Sequence, residues 1–293
     1  MQKLARILQI SVVSLSVAVL GGCGSLPSLP KLSLFSSSKA KAADKETVPN
    51  EIYDSADALL ERGKFTAAAK KFEEVDRQHP YSPYARRSLV MAAYSHYKSG
   101  QYDKAISTAR RYTTLHPGTK ENALATHIIA SSYYDQIRDP ARDQGRTKKA
   151  LKALEELVNR FPESEYAAKA VNRIRITKDV LAASEMNVGR YYLKKNNYLA
   201  SINRFKTVVL KYQSTAHVEE ALMRLTEAYM SLGITNEAQT AAAILGHNFP
   251  NSRWYKNSYD LLQSNGLAPR EDTGSWISRR WKRAVSGIGR RKS

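Results

Sequence analysis

The chain of 293 residues contains a single cysteine, Cys23. One thiol cannot form an intramolecular disulfide, and it cannot supply the set of cysteines that structural zinc sites use. None of the six histidines has the spacing of metal ligands, and the sequence lacks a glycine-rich phosphate loop, an HExxH motif and a nucleophile elbow. We therefore predict a protein that is not an enzyme and that needs no metal or dissociable cofactor.

Acidic residues are scarce relative to basic ones. The chain has 27 Asp and Glu against 46 Lys and Arg, which gives a formal net charge of +19. This excess favours acidic partners or an anionic surface and does not by itself indicate nucleic acid. Because the aromatic residues fall mainly at positions where helices pack, we expect no nucleic-acid partner.

A pronounced apolar run occurs at the N-terminus, from Ile7 to Leu20. It is shorter than the roughly 20 residues that a comfortable membrane span requires. Lys3 and Arg6 precede it and small residues follow it, which is the layout of a secretory signal peptide. We predict a signal peptide over residues 1–22.

The residues around Cys23 read Leu-Gly-Gly-Cys and resemble the lipobox of bacterial lipoproteins. The resemblance implies cleavage before Cys23, an S-diacylglycerol on its thiol and an acyl chain on its new amino group, with no other cofactor. Three acyl chains exceed what stable membrane anchoring needs. Gly24 at the next position implies export to the outer membrane. An ordinary secreted protein with an incidental cysteine at this position is the alternative.

Residues 23–50 are rich in Ser, Pro and Lys and show no sustained period, so we predict a lipidated, disordered tether. From residue 51 the composition changes to Ala, Leu, Tyr, Lys and Glu without strand-like alternation. A segment with Gly and Pro 17 residues apart and Ala at its sixth position begins at Gly63, Gly100, Gly145 and Gly233. A further copy begins at Asn196 and lacks both Gly and Pro.

This pattern resembles the second half of the tetratricopeptide repeat, in which Gly ends the first helix and Pro ends the second. We therefore predict an all-α solenoid of about five helix pairs over residues 51–266, preceded by the flexible tether. A Ser or Thr two residues after the Pro position is expected to cap the next helix. In the third copy we expect the first helix to run over residues 123–137 and the polar residues 138–145 to form an insertion. Whether residues 172–195 form one helix or two stays open.

The segment from Asn172 to Thr215 is similar to the BamD (ComL) family of outer-membrane lipoproteins in the β-barrel assembly machinery. The residues that carry this resemblance are Leu181-Ala182, Glu185, Tyr191-Tyr192, Asn203-Arg204 and Tyr212 to Thr215, with Gln213 where the family pattern has Pro. The resemblance implies a scaffold at the periplasmic face of the outer membrane. It also implies three partners: the barrel-forming subunit, other lipoprotein subunits and unfolded outer-membrane proteins. Arg204 would contact the barrel-forming subunit; the alternative is a solvated arginine.

A stack of helix pairs creates a concave face lined by first helices, where an extended segment ending in an aromatic residue and a carboxylate could bind. Tyrosine supplies contact area at low entropic cost, and arginine can hold a carboxylate. Alternatively, several of the tyrosines pack between helices. The candidates for this groove are Tyr53, Arg87, Tyr94, Tyr97, Tyr134 and Arg138.

Residues 267–293 form a basic tail in which Ile277 and Trp281 begin an apolar series at helical spacing. A basic amphipathic helix with Trp is typical of membrane-surface or partner-docking elements. A disordered polybasic tail is the alternative. The tail candidates for membrane or partner contact are Trp276, Trp281, Arg279, Arg280 and Arg283.

Two further functions stay open from sequence alone. A periplasmic helical-repeat adaptor for peptidoglycan or division would share the repeats and the Pro-x-Ser connections, although such adaptors usually lack a lipobox. A DNA-uptake lipoprotein would use the positive charge.

Overall fold

The computed structural model describes residues 48–289, and side chains as far as Arg283. The described residues belong to one compact unit. The predicted signal peptide, Cys23 and the predicted tether up to residue 47 lie outside the described residues. Within the described part of the chain, no helix is long and apolar enough to cross a membrane.

The described residues form twelve helices and no strand. The first ten make five antiparallel pairs, which confirms the predicted all-α solenoid, and α11 and α12 follow them. The helices are α1 Pro49–Glu61, α2 Phe65–Gln78, α3 Pro83–Lys98, α4 Tyr102–Leu115, α5 Asn122–Tyr134, α6 Gly145–Arg160, α7 Glu165–Lys194, α8 Tyr198–Lys211, α9 Val218–Ser231, α10 Thr235–Asn248, α11 Arg253–Gln263 and α12 Trp276–Gly289.

A residue with positive φ ends the first helix of four pairs. Gly63, Gly100 and Gly233 have φ between 71° and 75°, and Asn196 takes the same place with φ 59°. Asn is one of the few non-glycine residues that tolerate this left-handed conformation, so the fourth pair keeps the turn without glycine. The third pair has no such turn, as the expected insertion implies: α5 ends at Tyr134, three residues before the predicted end at 137, and Gly145 is the first residue of α6.

Five corners join the pairs to each other and to α11 in the same way. The residue that ends each second helix has φ between −137° and −130° and ψ between 35° and 60°, and its carbonyl accepts a hydrogen bond from the backbone three residues later. The Oγ atoms of Ser82, Ser164 and Ser252 then cap α3, α7 and α11 as predicted. Thr215 does not cap α9, because α9 begins later and its Oγ1 donates to the Tyr212 carbonyl instead.

Helix α7 is one continuous helix of 30 residues, which answers the question that the sequence left open. Its first half packs on α6 and its second half on α8. Gly189 permits the second contact, because a Cβ atom at that position would lie 2.5 Å from Cε1 of the fully buried Phe205.

The two sides of the solenoid are built differently. First helices of neighbouring pairs contact each other: α1 contacts α3, α3 contacts α5, and α5 contacts α7. No comparable contact joins the second helices α2, α4, α6, α8 and α10 of the described chain. First helices are therefore the more closely spaced set and line the inner side, while second helices line the outer side. Helix α11 packs on α9 and α10, and α12 lies on the outer side against α8 and α10.

Candidate binding surface on the inner side

A band of partly exposed aromatic side chains crosses the inner side from α3 to α7. The imidazole of His127 stacks on the Tyr166 ring with their centroids 4.6 Å apart, and Tyr94 of α3 lies near Tyr166. Tyr97, one turn after Tyr94 on α3, and Tyr134, two turns after His127 on α5, continue the band. We call these five residues, together with Arg173, the inner strip.

Arg173 is the cationic member of the strip, and sequence reasoning missed it. Its guanidinium carbon lies 4.8 Å from the centroid of the Tyr134 ring, and Nη1 donates a hydrogen bond of 2.7 Å to Ser131 Oγ. The seven-residue spacing from Tyr166 to Arg173 places both on one face of α7. That spacing could have revealed Arg173 and Tyr166 had α7 been recognised as one helix.

Two side chains of the strip have strongly shifted pKa values. Burial, and then the positive charges of Arg173 and Lys169, lower the pKa of His127 to about 4, so its imidazole is neutral at pH 7. Burial, and then the Asp135 carboxylate that accepts a hydrogen bond of 2.8 Å from its hydroxyl, raise the pKa of Tyr97 to about 12. At neutral pH, therefore, Arg173 is the charged group of the strip.

The structure does not bring all the predicted groove residues together. Tyr53 is a core residue, because its ring packs edge-on against Phe72 at 5.4 Å and only 5 % of it is exposed, so its assignment to the groove was wrong. The Arg87 guanidinium covers this ring at 5.5 Å and is itself exposed on α3. Arg87 and Tyr94 are seven residues apart on one face of that helix, so Arg87 extends the inner surface towards α1.

Arg138 belongs to the connection between α5 and α6 rather than to the aromatic band. It is exposed and lines a cleft of about 740 Å³ with Tyr102, Asp135 and Arg146. Asp135 is shared by the cleft and the strip through its hydrogen bond with Tyr97. The cleft therefore adjoins the strip at the end of α5.

Ion pairs line the inner side of the last two pairs. Arg190 Nη1 donates to both carboxylate oxygens of Glu220, at 2.9 and 2.8 Å, and Arg224 bridges Glu220 and Glu227. Glu220 is only 9 % exposed. These charged groups are therefore paired with one another, whereas the aromatic band lies on the first three pairs and the first half of α7.

Arg204 lies on the exposed surface of α8. Its Nη1 is 3.2 Å from Glu185 Oε2 on α7, which ties the two helices together. The guanidinium keeps 45 % of its side-chain surface accessible, so the pair leaves room for an external contact.

The tail tryptophans face the protein. Trp276 Nε1 donates a hydrogen bond of 2.9 Å to the Tyr229 hydroxyl, and Lys206 lies over the Trp276 ring. Trp281 is half-buried and meets Phe249 edge-on at 6.3 Å. Both tryptophans, predicted as candidates for membrane or partner contact, are partly buried against the core of the last two pairs. Arg279, Arg280 and Arg283 remain on the exposed side.

The described residues hold no group of three or more His, Cys, Asp or Glu side chains that could bind a metal ion. A stack of helix pairs with an aromatic and basic inner strip is the arrangement of a tetratricopeptide-like binding scaffold.

Comparison with known proteins identifies the family. The family model described as "YfiO: Outer membrane lipoprotein" matches residues 45–245. The chain is 45% identical to outer membrane protein assembly factor BamD of Caulobacter vibrioides, over 74% of this chain and 72% of the relative. It is 37% identical to BamD of Rickettsia prowazekii, over 84% and 93%. The chain belongs to the YfiO family of outer membrane lipoproteins, which includes BamD, and the predicted resemblance is confirmed.

Among solved structures, the TPR2AB domain–pHSP90 complex of yeast Sti1 matches with a TM-score of 0.41 and 15% identity, over 74% of this chain and 84% of that one.

Proposed function

We propose that this protein is a non-enzymatic scaffold for the assembly of β-barrel proteins in the outer membrane. The observation that carries the proposal is the inner strip in a member of the family of the assembly factor BamD. In this proposal the strip receives the C-terminal segment of an unfolded outer-membrane protein. An aromatic side chain of that segment would stack on tyrosines, and its carboxylate would lie near Arg87, Arg138 or Arg173.

The strip suits an extended segment for a physical reason. Its tyrosines already have half-buried rings packed on neighbouring helices, so they lose little side-chain freedom when they are covered. Arg173 is held in place by Ser131 and Tyr134, so it too is pre-organised. Both features lower the entropic cost of binding.

A labelled peptide that ends in Phe with a free carboxylate tests the strip by fluorescence anisotropy. We expect Tyr94→Ala with Arg87→Ala to weaken binding at least about tenfold, as the loss of an aromatic anchor usually does. The matched control is Tyr81→Ala with Arg86→Ala, which removes the same two residue types from exposed positions nearby. Equal affinity of the two double variants would refute the strip as the binding site.

We further propose that the last pairs bind the barrel-forming subunit and that Arg204 contacts it. The test is co-purification from detergent-solubilised outer membrane. Arg204→Leu should reduce recovery of the barrel-forming subunit, whereas Glu185→Gln should not, since it removes the internal partner and leaves the guanidinium free. If both variants reduce recovery equally, the pair serves only to join α7 and α8.

In this proposal Cys23 carries the lipid that holds the protein at the periplasmic face of the outer membrane, with other lipoprotein subunits beside it. Mass spectrometry of the mature N-terminus tests the anchor. The expected product begins at Cys23 and carries the S-diacylglycerol and N-acyl masses, and Cys23→Ser should abolish them. An unmodified N-terminus at another residue would exclude lipidation.

A further inference from the structure

The positive charge of the helices is concentrated on one side of the solenoid. The inner helices α1, α3, α5, α7, α9 and α11 together carry a net formal charge of +1. The outer helices α2, α4, α6, α8, α10 and α12 together carry +11. Most of that excess lies on α6, α8 and α12, with +3, +3 and +4. A solubilising charge has no reason to select one side, so the asymmetry points to a binding surface.

Helix α6 presents an exposed cluster of cations. Lys148, Lys149 and Lys152 are exposed within about one turn and make no ion pair with any described side chain. The two acidic residues of α6 are already engaged, Glu155 with Lys178 of α7 and Glu156 with Arg160. The three lysines are therefore not neutralised within their own helix.

Helix α12 adds to the same side. The apolar residues of its first turn are occupied: Ile277 is fully buried, and Trp276 is fixed by Tyr229 and Lys206. With these residues packed inward, Arg279 and Arg280 of α12 are exposed. Helix α12 contacts α8, and Lys211 of α8 is exposed too. We call Lys148, Lys149, Lys152, Lys211, Arg279 and Arg280 the outer basic face.

We infer that the outer basic face binds an anionic lipid surface. Phosphate groups of lipid headgroups form a continuous negative layer, which suits cations spread over several helices better than a single anion site would. Each Lys or Arg near such a surface adds to the attraction, which fades over a Debye length of about 8 Å at physiological salt. Since the tryptophans of α12 are occupied within the protein, the contact is electrostatic and involves no insertion of these rings.

Sedimentation of residues 47–293 with vesicles tests this inference independently of any lipid anchor. All four core clusters lie within this unit, so its fold does not depend on the preceding residues. We expect binding to vesicles that contain phosphatidylglycerol at low salt, loss of that binding at high salt, and none to pure phosphatidylcholine. Equal binding to both vesicle types, or binding to neither, would overturn the inference.

Charge-matched variants locate the contact. Lys148→Ala, Lys149→Ala and Lys152→Ala together should lower partitioning onto anionic vesicles by at least about tenfold, because each lysine near the lipid headgroups adds to the attraction. The control triple of Lys120→Ala, Lys195→Ala and Lys256→Ala removes the same charge from exposed positions off the outer side. An equal loss in both triples would mean that net charge alone attracts the lipid, which would overturn the assignment to this face.

A second comparison distinguishes lipid from an acidic protein. Arg279→Ala with Arg280→Ala should weaken vesicle binding and leave anisotropy with the Phe-ending peptide unchanged, because the inner strip is on the other side. If these outer-face variants instead lose an acidic protein partner in co-purification while vesicle binding stays intact, the lipid inference is refuted. Neither outcome bears on the proposed substrate surface, which the peptide experiment tests separately.

Discussion

Replacing Gly189 by alanine tests the packing of the long helix against α8. A Cβ atom at this position would lie 2.5, 2.8 and 2.9 Å from three carbons of the Phe205 ring, which is fully buried and cannot retreat into solvent. Alanine gains about 1 kcal/mol over glycine from helix propensity, whereas forcing an extra carbon into a packed core costs about 1–3 kcal/mol. Because real Cβ atoms essentially never approach this closely, we expect the packing cost to exceed the gain in helix propensity by about 1 kcal/mol or more.

Thermal unfolding of residues 47–293 measures this balance. A net loss of about 1–2 kcal/mol corresponds to a fall of about 2–8 °C in Tm for a unit of this size. Gly118→Ala is the control, since a Cβ atom at that position would have no neighbour within 4 Å and its φ is not positive, so Tm should change little. Adding Phe205→Leu to Gly189→Ala should cost less than the sum of the two single changes. A rise in Tm for Gly189→Ala would refute the close-packing argument.

Three further predictions concern the turns, the ion pairs and the inner strip. Asn196→Gly should leave stability within about 0.5 kcal/mol, whereas Asn196→Val should cost about 1–2 kcal/mol by urea denaturation, because valine resists positive φ. Arg190→Met should cost about 1–3 kcal/mol by leaving the buried Glu220 less well paired, while Lys194→Met, at an exposed position, should cost little. The free energy of unfolding should fall as pH drops from 6.5 to 4. Over this range His127 becomes protonated in the unfolded chain but stays neutral in the folded protein, where its pKa is about 4. The loss is at most about 3 kcal/mol; His127→Gln should flatten this part of the pH–stability curve, and an unchanged curve would contradict the assignment.

The repeats could be read from the sequence because their turns and crossings depend on local chemistry. A positive φ after the first helix favours Gly, and the corner after the second helix favours an aromatic or His before Pro, so both recur at fixed spacing. The third pair departs from this rule since ten residues separate α5 from α6, which removes the need for a tight turn at Gly145. Spacing alone cannot distinguish a glycine that ends one helix from a glycine that begins the next.

The inner strip was harder to predict from sequence because it depends on which side chains point to the inner surface and which pack into the core. Tyr53 and Tyr94 are both tyrosines of first helices, yet Tyr53 is covered by Arg87 and packed on Phe72 while Tyr94 stays partly exposed. Arg173 was missed because its role depends on α7 being continuous. The tail tryptophans show the same limit: an amphipathic pattern predicts that an apolar side is covered, but the covering surface here is the protein's own core.

Helix α7 sets the relation between the two proposed contacts. Twelve residues separate Arg173 in the inner strip from Glu185, the partner of Arg204, which is about 18 Å along one rigid helix. An extended peptide advances about 3.3 Å per residue, so a segment shorter than about five residues cannot cover both places. We therefore expect a short peptide ending in Phe to occupy the strip without displacing the barrel-forming subunit from Arg204. Competition by so short a peptide would mean that the two contacts overlap, and the separation into a substrate half and a subunit half would be wrong.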